Sequence, residues 1–158
     1  MHAMIWVFLG GGLGAVGRYG AAIALARPAL PRPGSSQARD LTTLDLIPLS
    51  TLAVNVAGCL LIGVLVPMLA GRPEPWKAAL IVGVLGGFTT FSAFGYETLA
   101  LVQHGRPLLA LVYVIGSVLL GVGAVWLGHT LAHASGLAST LDAAMGDAAV
   151  GGSPGEAA

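Results

Sequence analysis

Apolar residues dominate four stretches of the chain, Met4 to Ala26, Leu49 to Ala70, Trp76 to Val102 and Pro107 to His129, and polar residues gather between these stretches. Each run reaches the roughly 20 mostly apolar residues that a bilayer-crossing helix requires. The pattern predicts an all-α integral membrane protein with four transmembrane helices. Arg18 interrupts the first run and Glu97 the third, so both are informative: a charge at membrane depth is expensive and usually functional. The first connection runs from Arg27-Pro28 through Arg32-Pro33-Gly34 to Asp45 and carries turn chemistry that belongs outside the hydrocarbon. Gly71 to Pro75 forms a tight second connection, and Gln103 to Arg106 a third.

After His133 the chain becomes a mixture of Gly, Ala, Ser and Asp without Lys, Arg or aromatics. It holds too little apolar surface to order itself, so residues 1–133 are expected to form the membrane domain and 134–158 a flexible tail. A short helix over Leu137 to Met145 is the alternative. The first span is not read as a signal peptide, because no Lys or Arg precedes its apolar run and Arg18 sits inside it.

Composition agrees with a membrane setting. Of 158 residues, 9% are charged and 56% hydrophobic, too few charges to coat a water-facing surface. The net charge of zero gives no electrostatic reason to expect a nucleic acid. The lone Cys59 cannot form an intrachain disulfide. Arg27, Arg32, Arg39 and Arg106 lie on the side of the odd loops, against Arg72 and Lys77 on the other. That bias favours external termini, but by a margin small enough to permit insertion in both orientations.

Two motifs have plain readings. Gly12 to Gly17 satisfies G-x-G-x-x-G, yet it leads into Arg18 and a proline-rich loop where a nucleotide site needs a helix and a second strand. Gly10 and Gly14 instead form a small-xxx-small face for close helix contact. His129 and His133, four apart, share a helix face as zinc ligands do, but without a nearby third ligand they read as interfacial side chains.

Two other segments carry chemistry. Thr51 and Asn55 share a face with Gly58 beside them. An amide in hydrocarbon needs a partner, so Asn55 is either interhelical glue or a donor to an anion, and the segment alone does not choose. The run from Gly86 to Phe94 predicts a break in the third span, since Gly86-Gly87 and Thr89-Thr90 are poor helix material. Broken backbone at that depth is tolerated where protein buries it or where it lines a cavity, and its freed carbonyls suit a small cation. Phe91 and Phe94 lie one turn apart, either as packing residues or as rings whose positive edges line an anion path. Glu97 follows, and Tyr113 and Ser117, with Gly121, repeat the four-residue polar spacing in the last span. Their hydroxyls either continue a donor path or satisfy Asn55 and Glu97.

Taken together, Gly11 to Tyr19, Thr51 to Gly58, and Gly86 to Phe94 with Glu97 resemble the CrcB/Fluc family of small bacterial fluoride channels. The resemblance covers all four spans. It implies an antiparallel, dual-topology homodimer in the bacterial inner membrane, with two fluoride pores and one structural sodium ion on the axis. By resemblance, the backbone carbonyls of Gly86 and Thr89 hold the sodium. Asn55 donates to fluoride, and Phe91 and Phe94 line the path. Thr51, Ser92, Glu97, Tyr113 and Ser117 match a polar track, and Arg18 an arginine near a vestibule. Two departures stand out: Ala93 replaces a common hydroxyl residue, and the Arg27 to Asp45 loop and the tail are long.

The expected function is thus passive fluoride efflux from the cytoplasm and resistance to fluoride, without enzymatic activity. Two other classes compete with it. One is a small dual-topology coupled exporter of cationic compounds using Glu97, although that class keeps its acidic residue in the first span. The other is a membrane assembly factor that carries no flux.

Overall fold

The computed structural model describes residues 2–25 and 47–136. The Arg27 to Asp45 loop, the alternative helix over Leu137 to Met145 and nearly all of the expected tail lie outside the described residues. Within them every regular element is helical. These are α1 (His2–Ala24), α2 (Leu49–Met68), α3 (Glu74–Lys77), α4 (Ala78–Leu85), α5 (Gly86–Phe88), α6 (Phe91–Gln103) and α7 (Pro107–Ala134). Elements α3 to α6 together make one interrupted span, so four helical segments are long and apolar enough to cross a membrane.

The first helix is shifted to His2–Ala24, the second stops at Met68 and the third runs on to Gln103, and two further ends differ from expectation. The third span begins at Glu74 rather than Trp76, because Pro75 fits the first turn of a helix, where no N–H is needed. The last helix continues past His129 to Ala134. Between α6 and α7 the chain turns on Gly105, whose φ of 72° is open to glycine at little cost. Arg106 N–H donates to Leu101 O at 3.0 Å and Gly105 N–H to Val102 O at 2.9 Å, closing the end of α6 in a Schellman arrangement.

The interruption of the third span also departs from the reading based on its glycines. Gly86 is helical, with φ −64° and ψ −36°, and the chain leaves the helix only at Thr89 (φ −78°, ψ 154°) and Thr90 (φ −144°, ψ 118°). Of the two glycines, Gly87 is there for contact, while Gly86 has open space beside it. A side chain on Gly87 would run into Gly11 O of α1, and one on Gly14 into Val84 O and Phe88 N. Gly10 and Gly83 meet in the same way, so glycines four apart on α1 (10 and 14) face glycines four apart on the third span (83 and 87). The expected small-residue face of Gly10 and Gly14 therefore exists and has a matching partner. Where lipid tails are as apolar as the side chains, such close backbone approach is what holds helices together.

A second contact of the same kind joins α2 to α7, where Gly63 lies against Val125 O and Gly128 against Leu60 O. The fold thus consists of two helix pairs, α1 with α3–α5 and α2 with α7, and α6 leans on α7. Buried side chains are few. Leu101 is fully enclosed, with Ala110 and Tyr113 beside it, while Met4, Phe8, Leu13, Val16 and Trp126 point outward as lipid-facing residues do.

One feature was not visible in the apolar pattern. Ala78–Leu85 is wound as a π-helix, and Gly86 N–H reaches back five residues to Ile81 O. Windings of this kind are rare and short, and they recur near functional sites.

Candidate functional site

The break between α5 and α6 exposes main-chain groups that a continuous helix would have paired. Asn55 on α2 takes up both main-chain polar groups of Thr90. Its Oδ1 accepts from Thr90 N–H at 2.9 Å, and its Nδ2 donates to Thr90 O at 3.1 Å. The Thr90 N–H would otherwise serve the Gly86 carbonyl, so this clasp is what removes the helical donor from Gly86 O. The alternatives left open for Asn55 are therefore partly resolved: one amide proton and the carbonyl act as interhelical glue. An amide has a second N–H to offer.

Thr90, which the motif reading passed over, has a second task. Its hydroxyl accepts from Ala93 N–H at 3.3 Å and so caps α6, while lying 3.3 Å from Ser92 Oγ. A Thr just ahead of a helical run is the available signal for such a cap. Thr89 turns its hydroxyl back to Leu85 O at 2.9 Å, leaving its own carbonyl in extended backbone. On the far side, Arg18 of α1 donates from Nε to Gly87 O at 3.2 Å.

From the break, aromatic and polar groups continue in contact. The Phe91 and Phe94 ring centroids are 5.5 Å apart and those of Phe94 and Tyr113 5.3 Å, with interplanar angles of 42° and 41°. Tilted rings present edges as well as faces. Tyr113 OH donates to Glu97 Oε2 at 2.9 Å, and Thr51 Oγ1 donates to Glu97 Oε1 at 2.5 Å. The carboxylate thus joins α2, α6 and α7, and each of its oxygens has a hydroxyl partner, as a half-buried charge requires. Thr51 itself is buried.

Ser117 stands apart from this chain of contacts. Its Oγ is buried without a hydrogen-bond partner among the described residues. Gly121 faces Cys59, whose Sγ lies 3.4 Å from where a side chain would begin. An open groove of about 340 Å³ adjoins the break, lined by Asn55, Gly58, Gly86, Thr89, Thr90 and Phe91 among others. Phe91 is 84% exposed and Gly86 has no close neighbour on its open side. His129 and His133 pack ring to ring at 4.5 Å near the end of α7, and among the described residues no third His, Cys, Asp or Glu joins them.

Four spanning segments, one of them interrupted beside a line of hydroxyl, carboxylate and aromatic groups, define a multi-pass membrane protein of the transport class. The family described as CrcB-like protein, Camphor Resistance (CrcB), matches residues 5–129, and the chain belongs to it. Relatives named fluoride-specific ion channel FluC are similar over most of both chains. That of Solibacter usitatus is 41% identical over 80% of this chain and 95% of its own. Those of Paracoccus denitrificans and Novosphingobium aromaticivorans are 44% and 45% identical, over 82% and 83% of this chain and 94% and 96% of theirs.

Proposed function

We propose that the protein is a fluoride channel through which the anion leaves the cytoplasm passively, conferring fluoride resistance. The observation that carries this reading is the unbroken line of contacts from Phe91 through Phe94 and Tyr113 to Glu97 and Thr51. Fluoride is small and strongly hydrated, so a pore must replace its water with fixed donors. The second N–H of Asn55, the hydroxyl of Ser92 and the edges of two phenylalanine rings are donors of that kind, while the Thr51 and Tyr113 hydroxyls, whose protons go to Glu97, hold that carboxylate in place. The Ser117 hydroxyl, buried and unpaired, is another group that a passing anion would satisfy.

The relatives' names supply the ion, and the bacterial sources of those relatives make the inner membrane the expected location. An antiparallel homodimer suits the weak charge bias and the outward-facing Phe91, which would then meet a second copy. The carbonyls of Gly86 and Thr89 fit a structural sodium ion. One has lost its helical donor to Asn55, the other lies in extended backbone, and both are hard oxygen ligands. A bound cation there would supply charge against carbonyls that the two-fold axis brings together.

The deciding experiment is ion efflux from liposomes containing the purified protein, in fluoride and in chloride, with and without an imposed proton gradient. The expected result is rapid fluoride efflux, little chloride efflux and no response to the gradient. Flux that follows the proton gradient and disappears in Glu97→Gln would instead make this a coupled exporter, and absence of any flux would leave an assembly role.

A further inference from the structure

We infer that Arg18 is a positioning residue for the broken span: it fixes the end of the first half-helix through the Gly87 carbonyl and acts on the ion path through that contact. This deepens the channel reading above and rests on it only where flux is measured. A guanidinium inside a spanning helix requires a partner, and the charged residues Arg18 and Glu97, each well inside a described span, do not pair with each other. Glu97 is held by Thr51 and Tyr113. Arg18 instead donates from Nε to Gly87 O at 3.2 Å, 69 residues away along the chain.

That carbonyl belongs to the last turn before the break, where helical donors run out and the helix dipole ends negative. A cation at this place serves both needs. The contact also has a rigid base. Gly87 already lies against Gly11 and Ala15 of α1, and the Phe88 ring covers Gly17, so α1 delivers Arg18 to the half-helix from three residues beyond its own contact face. On the other flank Asn55 of α2 holds the N–H and C=O of Thr90. The Phe88-Thr89 segment is therefore suspended between two side-chain clamps from two different helices. Its geometry, including the direction of the Thr89 carbonyl, depends on both.

The bonding atom makes the idea testable. Nε is the fourth heavy atom of the arginine side chain. In Arg18→Gln the amide nitrogen occupies the same place along the chain and keeps an N–H without the charge. In Arg18→Lys a methylene stands there and the charge is kept one atom further out. Arg18→Met keeps neither. Fluoride efflux from liposomes and backbone hydrogen exchange of the 87–91 segment would be measured for all three variants at low and high salt.

If Arg18 acts through Gly87 O, Arg18→Met raises exchange at Thr90 N–H roughly tenfold, the value of one hydrogen bond to a charged group, and lowers flux at every salt concentration. Arg18→Gln then recovers both properties better than Arg18→Lys does. A vestibule charge that merely draws anions predicts the opposite order: Lys equals the parent protein, Gln and Met fall together, and the deficit fades as salt screens it. That order, or unchanged exchange in all three variants, overturns the assignment. Because exchange reports the backbone whatever ion is carried, altered exchange in a protein without fluoride flux would refute the channel and keep the clamp.

Discussion

Asn55 shows how one side chain serves both the backbone and the path beside it. Asn55→Asp keeps an oxygen for Thr90 N–H but sets a carboxylate oxygen against Thr90 O, where Nδ2 had donated. It also removes the spare N–H and adds a charge that repels anions. Fluoride efflux should be abolished, and thermal unfolding in detergent should show a loss of about 1–3 kcal/mol, the cost of an unmatched buried polar contact. Normal conduction by Asn55→Asp would mean that the amide takes no part in transport. The type of residue at each site position was legible from the chain: Asn, Thr, Glu and Tyr stand out in an apolar sequence because hydrocarbon penalises them. Their partners were not. Nothing in spacing says that Asn55 holds Thr90 rather than Glu97, because that depends on which helices lie side by side.

At the level of helices, apolar runs revealed the four spans well, since length and hydropathy are what a bilayer selects. The break was anticipated from glycine and threonine together, yet only the threonines leave the helix. A helix interior accepts glycine when a neighbour's backbone occupies the space of the missing side chain, and Gly14 and Gly87 are used in that way. Gly14→Val should therefore cost on the order of 1–3 kcal/mol through overpacking, whereas Gly12→Ala, with nothing within 4 Å of the added carbon, should leave stability unchanged. Comparing the melting of the two variants by size-exclusion chromatography after heating tests the crossing directly. Equal losses would mean that α1 is held elsewhere.

The whole molecule presents its groove, Gly86 and Phe91 to the outside, which concerns assembly more than folding. Within one protomer the nearest atom to a side chain at Gly86 is Ile81 O at 4.0 Å, so Gly86→Ile should fold. If two copies meet at the proposed axis, the same variant should run as a monomer in cross-linking and lose sodium-dependent stability. An intact dimer in Gly86→Ile would place the interface on another face. The accompanying claim of dual topology predicts that reporters fused to the C-terminus are found on both sides of the membrane, and a single clean orientation would refute the antiparallel arrangement. Neither property could be read from helix patterning, because the outward faces that meet a partner and those that meet lipid are equally apolar.

The π-winding of Ala78–Leu85 has a consequence for how this span tolerates change in length. A turn closed five residues back holds one residue more than an ordinary helical turn, so the segment carries slack. Removing Val82, which faces outward, should let the stretch close as an α-helix while Gly87 stays on Gly11 and the Thr90 clasp persists. The same deletion at Val118 in the regular helix α7 has no slack to draw on and turns every residue beyond it onto a new face. Expression and fluoride efflux of the two deletions, compared side by side, should therefore differ sharply, with loss confined to the second. Single-residue deletions arising in descendants of this gene would accordingly survive selection more readily between Ala78 and Leu85 than in the regular helix α7.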